Sequence, residues 1–410
     1  MMRLLYIADG RSPTALNWMS YFVNSGHEVH LASTYPCPGV DGLASMVIIP
    51  VAMSGNYGHL DSEGRGRGRL LRQIVPVTLR TRVRQLFAPF SFPRVVNTLL
   101  DVIEKIQPDL IHAMRIPYEG MITSMAMRRI AEAKGELKKT PLLISVWGND
   151  FTLHAKSTPI LSTYTRQALQ SVDGLHTDCQ RDQRLALELG FEATKPRIIL
   201  PGGGGVQMDI FYPGENGQDA NGLRPTSEIK PITIINPRGF RAYVRNDTFF
   251  RAIPSVVDQY PEVHFICPGM RGEEQAQRWI SEMGIAERVD LLPPQSRQQM
   301  AELFRHAQIS VSITTHDGTP NTLLEALACG CFPIAGDIES LREWIRPGVN
   351  GLLVDPSSPS ALAEAILNAI SQPDLRRQAR EQNLEMVKER AEYWKSMQAA
   401  EEFYSRLITE

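Results

Sequence analysis

No apolar run in this sequence approaches the ~20 residues that a helix needs to cross a bilayer. The opening MMRLLYIADG is too short in its apolar part for a secretory leader, so the expectation is a cytoplasmic protein. Cysteine is scarce: Cys37, Cys179, Cys267, Cys329 and Cys331 are odd in number and lack zinc-type Cys-x-x-Cys spacing. That excludes a disulfide framework and points to a reducing compartment. Charge of one sign is also lacking, since 43 basic residues face 45 acidic ones for a net charge of -2, which argues against a general nucleic-acid binder. No Gly-x-Gly-x-x-Gly follows the first strand-like run, which counts against a dinucleotide oxidoreductase. No Asp-x-Asp pair is present, so neither a metal nor a bound cofactor is expected.

What is present is an α/β rhythm repeated twice. Strand-like Leu4 to Ala8, helical Ala15 to Asn24 and strand-like Val29 to Ala32 open a βαβ unit. Asp9 and Gly10 then fall at the carboxyl edge of a parallel sheet, where a ligand can approach the bare backbone of Gly10; a plain tight turn explains it equally well. Asp109 to Ala113 and Leu142 to Trp147 read as further strands, with helical Ile122 to Ala133 between them. His112 and Arg115 flank the first strand end, and Gly148, Asn149 and Asp150 follow the second. His112 reads either as a satisfied interior histidine or as a group facing an acceptor.

Gly174 to Thr177, Gln180 to Leu189 and Arg197 to Leu200 complete a first domain of residues 1–205. Pro201 to Lys230 holds seven glycines and three prolines, so 206–230 reads as a connector. A second parallel-sheet domain, 231–390, restarts at PITIIN, and Arg238, Arg241 and Arg245 lie on the loop after that strand. Arginines there suit a diphosphate, because a guanidinium grips phosphate oxygens in a fork and stays charged. Val263 to Cys267 and Val289 to Leu292 continue the sheet, with helical Glu273 to Met283 and Gln298 to Ala307. An amphipathic helix is expected over Glu389 to Leu407.

The most informative stretch is His316 to Gly330, HDGTPNTLLEALACG, after strand-like Ala307 to Ile313. It predicts a helix in which Thr319 caps, Pro320 takes the first helical position and Gly330 the left-handed residue past the last turn. A helix starting where a parallel strand ends offers free amides and a positive dipole end to an anion such as phosphate. Glu325 lies one turn from Asn321 and Thr322, in a helix otherwise apolar, where a carboxylate is costly unless something specific meets it. Asp317 reads either as part of the helix cap or as a ligand contact.

DGTPNTLLEALACGCFPIA, continuing through Gly336, Glu339 and PGVNGLLVDP, resembles the nucleotide-sugar signature of the family 4 (group 1) retaining glycosyltransferases. That resemblance implies the GT-B architecture: two Rossmann-like, doubly wound parallel-sheet domains facing across a cleft, with the C-terminal helix (391–410) returning to the first. The family has two glutamates eight positions apart; here Glu325 is the second and Asp317 stands at the first. By resemblance Glu325 meets the ribose hydroxyls and Asp317 the hydroxyls of the transferred sugar. Arg238 and Arg245 hold the leaving diphosphate, replacing a divalent metal. Gly10, Gly318, Thr319, Pro320, Asn321, Thr322 and Leu323 line the donor, and Leu292 with Pro293 meets the nucleobase. Trp147-Gly148-Asn149-Asp150 resembles a family loop that reads His-Gly-x-Asp; tryptophan cannot exchange a proton, so no catalytic role passes to Trp147. Asn149, Asp150 and His112 fall on the acceptor side.

The implied reaction moves a sugar from a nucleoside diphosphate sugar, of uridine or guanosine, to a saccharide, small-molecule or lipid-linked acceptor. From Gly64 to Leu100 there are eight arginines and no acid, an insertion over about 64–94. Arg65 to Arg94 reads either as a solvated loop or as contact with the anionic inner face of a membrane. A catalytically inactive nucleotide-sugar binder of the same fold, docked to a membrane or a partner enzyme, is the competing reading, kept open by Trp147 and Asp317.

Overall fold

The structure is a computed structural model that describes residues 1–51, 83, 86–134, 140–214, 232–241 and 243–409. Of the arginine insertion over about 64–94, residues 83 and 86–94 lie among them, so that of its eight arginines only Arg94 is described. The chain divides into two compact units, Met1–Gly204 with Lys395–Glu410, and Gly205–Trp394.

The first unit is built on a seven-stranded sheet of β1 (Arg3–Ala8), β2 (Glu28–Ser33), β3 (Ser45–Ile48), β4 (Leu110–Ala113), β5 (Leu142–Val146), β6 (Gly174–Thr177) and β7 (Arg197–Ile199). All pairings are parallel, in the order β3-β2-β1-β4-β5-β6-β7. The helices are α1 (Pro13–Asn24), α2 (Phe92–Ile106), α3 (Met121–Lys134), α4 (Pro159–Ser171) and α5 (Gln180–Glu188). Continuous apolar strands such as LLYIA are buried because helices cover both faces of a parallel sheet. Ser12 caps α1 by accepting from the amide of Ala15, with Pro13 in the first turn, where its missing N–H costs nothing.

The second unit carries a six-stranded parallel sheet of β8 (Thr233–Ile235), β9 (His264–Cys267), β10 (Val289–Leu291), β11 (Ile309–Ser312), β12 (Phe332–Gly336) and β13 (Leu352–Val354), ordered β10-β9-β8-β11-β12-β13. Around it lie α6 (Asn246–Gln259), α7 (Glu274–Glu282), α8 (Arg297–His306), α9 (Asn321–Ala328), α10 (Pro359–Ser371) and α11 (Pro373–Arg390). The final helix, α12, is Tyr393–Thr409. The expected helix over Glu389 to Leu407 is therefore two helices. Val206 explains the break: its amide donates to the carbonyl of Ala391 at 2.7 Å and its carbonyl accepts from Tyr393 at 2.9 Å. Gly205 makes this approach feasible with φ of 101°, and a Cβ there would lie 2.3 Å from the Ala391 oxygen.

In each sheet the strand order reverses once, between β1 and β4 and between β8 and β11. Ligands of open α/β sheets bind at the carboxyl ends of strands beside such a reversal. In the second unit that place receives the loops after β8 and β11, which carry Arg238 and Asp317. Two parallel sheets flanked by helices make this a two-domain α/β fold of the GT-B kind.

Candidate functional site

At the reversal of the second sheet, the chain leaving β8 turns so that the guanidinium of Arg238 reaches the start of α9. Arg238 Nη2 donates to Asp317 Oδ2 at 2.6 Å, and Nη1 donates to Thr322 Oγ1 at 3.3 Å. The Arg238 side chain is only 10% exposed, and its Nε is buried without a hydrogen-bond partner among the described residues. A buried guanidinium N–H left unpaired is costly in a finished fold and marks a place where an acceptor is missing. Asn236 shapes this loop, accepting from the Arg238 amide at 3.2 Å and donating to Asn246 at 3.1 Å.

The helix starts one residue later than the sequence predicts. Pro320 is the N-cap, with φ -67° and ψ 127°, and makes no side-chain cap hydrogen bond of its own. Thr319 precedes the N-cap, and its hydroxyl accepts from the indole N–H of Trp344 at 3.0 Å. The helix thus opens at Asn321 and Thr322, directly beside Arg238. Gly318 and Pro320 are buried, Leu323 packs into the core, and Gly330 takes the left-handed turn with φ 89°.

Glu325 is one turn into α9. Burial pushes its carboxyl up to about 7, against the opposing pull of Arg297. An acid held near half-ionisation, one turn from the amino end of a helix, is suited to receiving hydroxyl groups. Arg245 differs from expectation: it is the N-cap residue of α6, and its guanidinium grips both oxygens of Asp247 at 2.8 Å. Its charge stays at the edge but is already shared. Leu292 follows β10, where its carbonyl accepts the amides of Met270 and Arg271, both at 3.0 Å.

The carboxyl edge of the first sheet is organised by Asp150, which is fully buried. Its Oδ1 accepts from Arg115 Nε at 3.1 Å and Nη2 at 2.6 Å, and its Oδ2 accepts from the amide of Trp147 at 3.0 Å. Asn149 Oδ1 also accepts from Arg115 Nη2, at 2.8 Å. Arg115 has φ 155°, a conformation L-residues adopt only under constraint, and these bonds supply it. Asp150 therefore shapes the loop rather than presenting a carboxylate. The indole Nε1 of Trp147 is buried without a hydrogen-bond partner among the described residues, against the bare backbone of Gly202.

Two expected site residues belong to the interior. Gly10 does not offer its backbone: its amide donates to Ser33 Oγ at 3.0 Å, and a Cβ there would lie 2.5 Å from Cys37 Sγ. His112 is fully buried in a directional hydrogen-bond chain, not on an acceptor surface. His176 Nε2 donates to the carbonyl of Leu200 at 2.9 Å, so its Nδ1 accepts from Ser145 at 2.7 Å. Ser145 accepts from His112 Nε2 at 2.7 Å, and His112 Nδ1 accepts from Tyr404. The Tyr404 oxygen accepts from Trp18 Nε1 at 2.8 Å and lies 3.2 Å from the Tyr6 hydroxyl. Both rings must be neutral for this order to hold. Burial accordingly depresses His112 well below its ordinary range and His176 to about 4.

Among the described residues one trio, Asp178, Cys179 and Asp182, brings three potential metal-ligand atoms within 4.8 Å. Its chemistry does not fit a cation site. Arg181 already neutralises Asp182 at 2.8 Å, and burial pushes the Cys179 thiol far up, away from the thiolate a metal needs. Trp344, Ser340 and Arg297 were not singled out as site residues from the sequence. Each acts through a partner distant in the chain, which no local pattern reveals.

The sequence model of the family described as Glycosyl transferases group 1 matches residues 224–386, and that of the Glycosyl transferase 4-like domain matches residues 9–202. The chain is 29% identical over 223 residues to the D-inositol 3-phosphate glycosyltransferase of Mycobacterium ulcerans (strain Agy99), covering 52% of this chain and 45% of that protein. It thus spans about half the length of the relatives it matches. Among solved structures it is similar to the sucrose-phosphate synthase (tll1590) from Thermosynechococcus elongatus, with a TM-score of 0.69, 14% identity and 99% of each chain covered. It is also similar to Anabaena Alr3699/HepE in complex with UDP-glucose, with a TM-score of 0.69, 15% identity, and 99% of this chain and 100% of that one covered. With one family match on each sheet domain, the chain belongs to the group 1 glycosyltransferases.

Proposed function

We propose that this chain is a retaining glycosyltransferase whose second unit binds a nucleoside diphosphate sugar and releases the diphosphate. The observation that carries the reading is the buried, incompletely satisfied guanidinium of Arg238 beside the amino end of α9. A diphosphate bound there draws Arg238 from Asp317 and gives its Nε an acceptor. As the bond between the sugar and the phosphate oxygen breaks, negative charge grows on that oxygen, and Arg238 with the helix amides stabilises it electrostatically. Arg245 adds a second cation at the same edge. Glu325 takes the ribose hydroxyls, and Asp317, released from Arg238, takes hydroxyls of the transferred sugar.

Retention follows if the acceptor hydroxyl attacks from the face the diphosphate leaves, its proton passing to a phosphate oxygen. That route needs neither a histidine at position 147 nor a metal. Several relatives support the donor class: Alr3699/HepE was crystallised with UDP-glucose, and the pneumococcal O-GlcNAc transferase GtfA with UDP and GlcNAc. The decisive experiment is a binding and turnover screen of UDP- and GDP-sugars. Protection by one donor with slow hydrolysis supports a transferase; tight binding without turnover, whatever acceptor is supplied, supports the inactive binder instead.

The acceptor is proposed to be saccharide or lipid-linked, reached by a protein that docks on an anionic bilayer. Leu86, Phe87 and Phe90 are 56%, 53% and 78% exposed, just before Arg94 and after the arginine run. Exposed aromatics next to cations suit the headgroup region. Co-sedimentation with phosphatidylglycerol vesicles, absent with phosphatidylcholine and reduced in a Phe87→Asp/Phe90→Asp variant, is the expected result. Equal recovery with both lipids removes the membrane from the reading. No helix among the described residues is long and apolar enough to cross a membrane.

A further inference from the structure

Pro320, the N-cap of α9, makes no side-chain cap hydrogen bond, and the loop before it must be rigid if the helix amides are to meet an anion. Two residues from the segment after β12 hold it. Ser340, fully buried, donates from Oγ to the carbonyl of Asp317 at 2.7 Å. Trp344, 5% exposed, donates from its indole to the hydroxyl of Thr319, itself 4% exposed. The loop is therefore pinned at two residues, one on each side of Gly318.

Trp344 is itself braced. The guanidinium of Arg390 lies over its ring at 4.1 Å, and Arg390 Nη1 donates to the carbonyl of Glu343 at 2.9 Å. The Trp344 carbonyl accepts from Asn350 Nδ2 at 2.9 Å, and the same nitrogen donates to Asn383 Oδ1 at 2.8 Å. Asn383 Nδ2 returns a bond to the carbonyl of Asn350 at 2.8 Å. A polar chain thus runs from α11 through Asn350 and Trp344 to the loop that precedes α9. The apolar cluster around Leu323, Leu324 and Leu327 explains why a large ring sits at position 344, but not why its N–H meets Thr319.

We infer that Trp344, assisted by Ser340, is the positioning residue for the diphosphate contact: its indole N–H holds Thr319 so that the amides opening α9 converge with Arg238 on one anion. The inference rests on the donor reading proposed above. Preorganised donors lose effectiveness when they must be ordered by the ligand itself.

The test uses the full chain and isothermal titration with UDP, GDP, uridine and guanosine. Trp344→Phe keeps the ring, its apolar packing and its contact with Arg390 while deleting the donor. Thr319→Val deletes the acceptor at nearly constant shape, and reads the same bond should Trp344→Phe fail to fold. Each is expected to weaken the diphosphate that binds wild type by about fivefold. The double variant loses no more than either single one, and nucleoside affinity is unchanged. Wild-type affinity in both single variants overturns the inference. So do losses that add in the double variant, or an equal loss for nucleoside and diphosphate, which indicates a general loosening of the site. Failure of wild type to bind UDP, GDP or any nucleotide sugar is a different result: it overturns the donor reading, and the inference with it.

Discussion

Glu325→Gln should stabilise the ligand-free protein while weakening the donor, and the two effects have opposite causes. The folded carboxyl titrates near 7 against an ordinary value of 4.5, with burial as the main cause. As pH rises from 4.5 to 7, the unfolded chain sheds a proton that the folded chain keeps, so this group subtracts stability progressively through that window and fully above it. Taken without screening, the effect reaches about 3 kcal/mol. Glu325 is only partly buried at the surface, so about 1–2 kcal/mol is the working expectation near pH 8. Glutamine removes the ionisation at nearly constant volume. Urea unfolding of both proteins from about pH 4 to about pH 8 reads the difference, which should vanish at the acid end and grow toward neutrality. The other titrating groups are common to both proteins and largely cancel. Donor affinity should fall about tenfold, since the amide cannot accept two ribose hydroxyls as a carboxylate does. A stability difference independent of pH refutes the raised carboxyl, and a stabilised variant with unchanged affinity for every nucleotide sugar removes Glu325 from the site.

Arg238→Lys should weaken UDP or GDP binding by about tenfold despite the retained charge, because an ammonium cannot span the positions its fork reaches; near-wild-type affinity in calorimetry counts against a fork contact. Asp317→Asn should strengthen free diphosphate binding by severing the 2.6 Å ion pair, yet slow sugar transfer; a parallel fall in both would mean that Asp317 only supports the loop. Tyr404→Phe strands the indole of Trp18 and Nδ1 of His112 in the interior, for a loss of about 3 kcal/mol in urea unfolding, and a loss under about 1 kcal/mol would refute the hydrogen-bond chain. The depressed histidines set an acid limit: His112 and His176 give their stability above 6.5 and lose it as pH falls, for His176 toward about 4, because the unfolded chain takes up protons that the folded one cannot. His176→Asn should flatten that part of the profile; an unchanged acid slope assigns it to other groups.

Most of the fold was legible because burial on both faces leaves a strong trace. β5, β6 and β11 are buried at every position and β1 at every position but its first, and the punctuation by Gly26 and Gly330 marks helix ends with φ of 79° and 89°. Elements that escaped have weaker patterns. β3 is four residues long with no fully buried position, and α2 begins within the stretch whose arginines dominate its appearance. The division between α11 and α12 is set by Val206, far away in sequence, so no reading of residues 389–407 alone could place it.

The site divides along the same line. Residue types and spacing brought Arg238, Asp317, Thr322 and Glu325 into one hypothesis, and the fold places the first three within direct hydrogen-bonding reach, with Glu325 one turn further along the helix. What sequence could not supply was which groups are already occupied. Gly10, His112 and Asp150 are the kinds of residue that bind ligands, yet Ser33, Tyr404 and Arg115 already engage them. Arg238 is the contrary case, a buried cation with one ion pair and one N–H still without an acceptor. Satisfied polar groups are structural by default, since rearranging them costs a hydrogen bond, whereas an unsatisfied one lowers its energy when a ligand arrives. That asymmetry, rather than residue type, favours the loops after β8 and β11 for the proposed diphosphate site, and at the edge of the first sheet it leaves the indole N–H of Trp147 as a group still to be met.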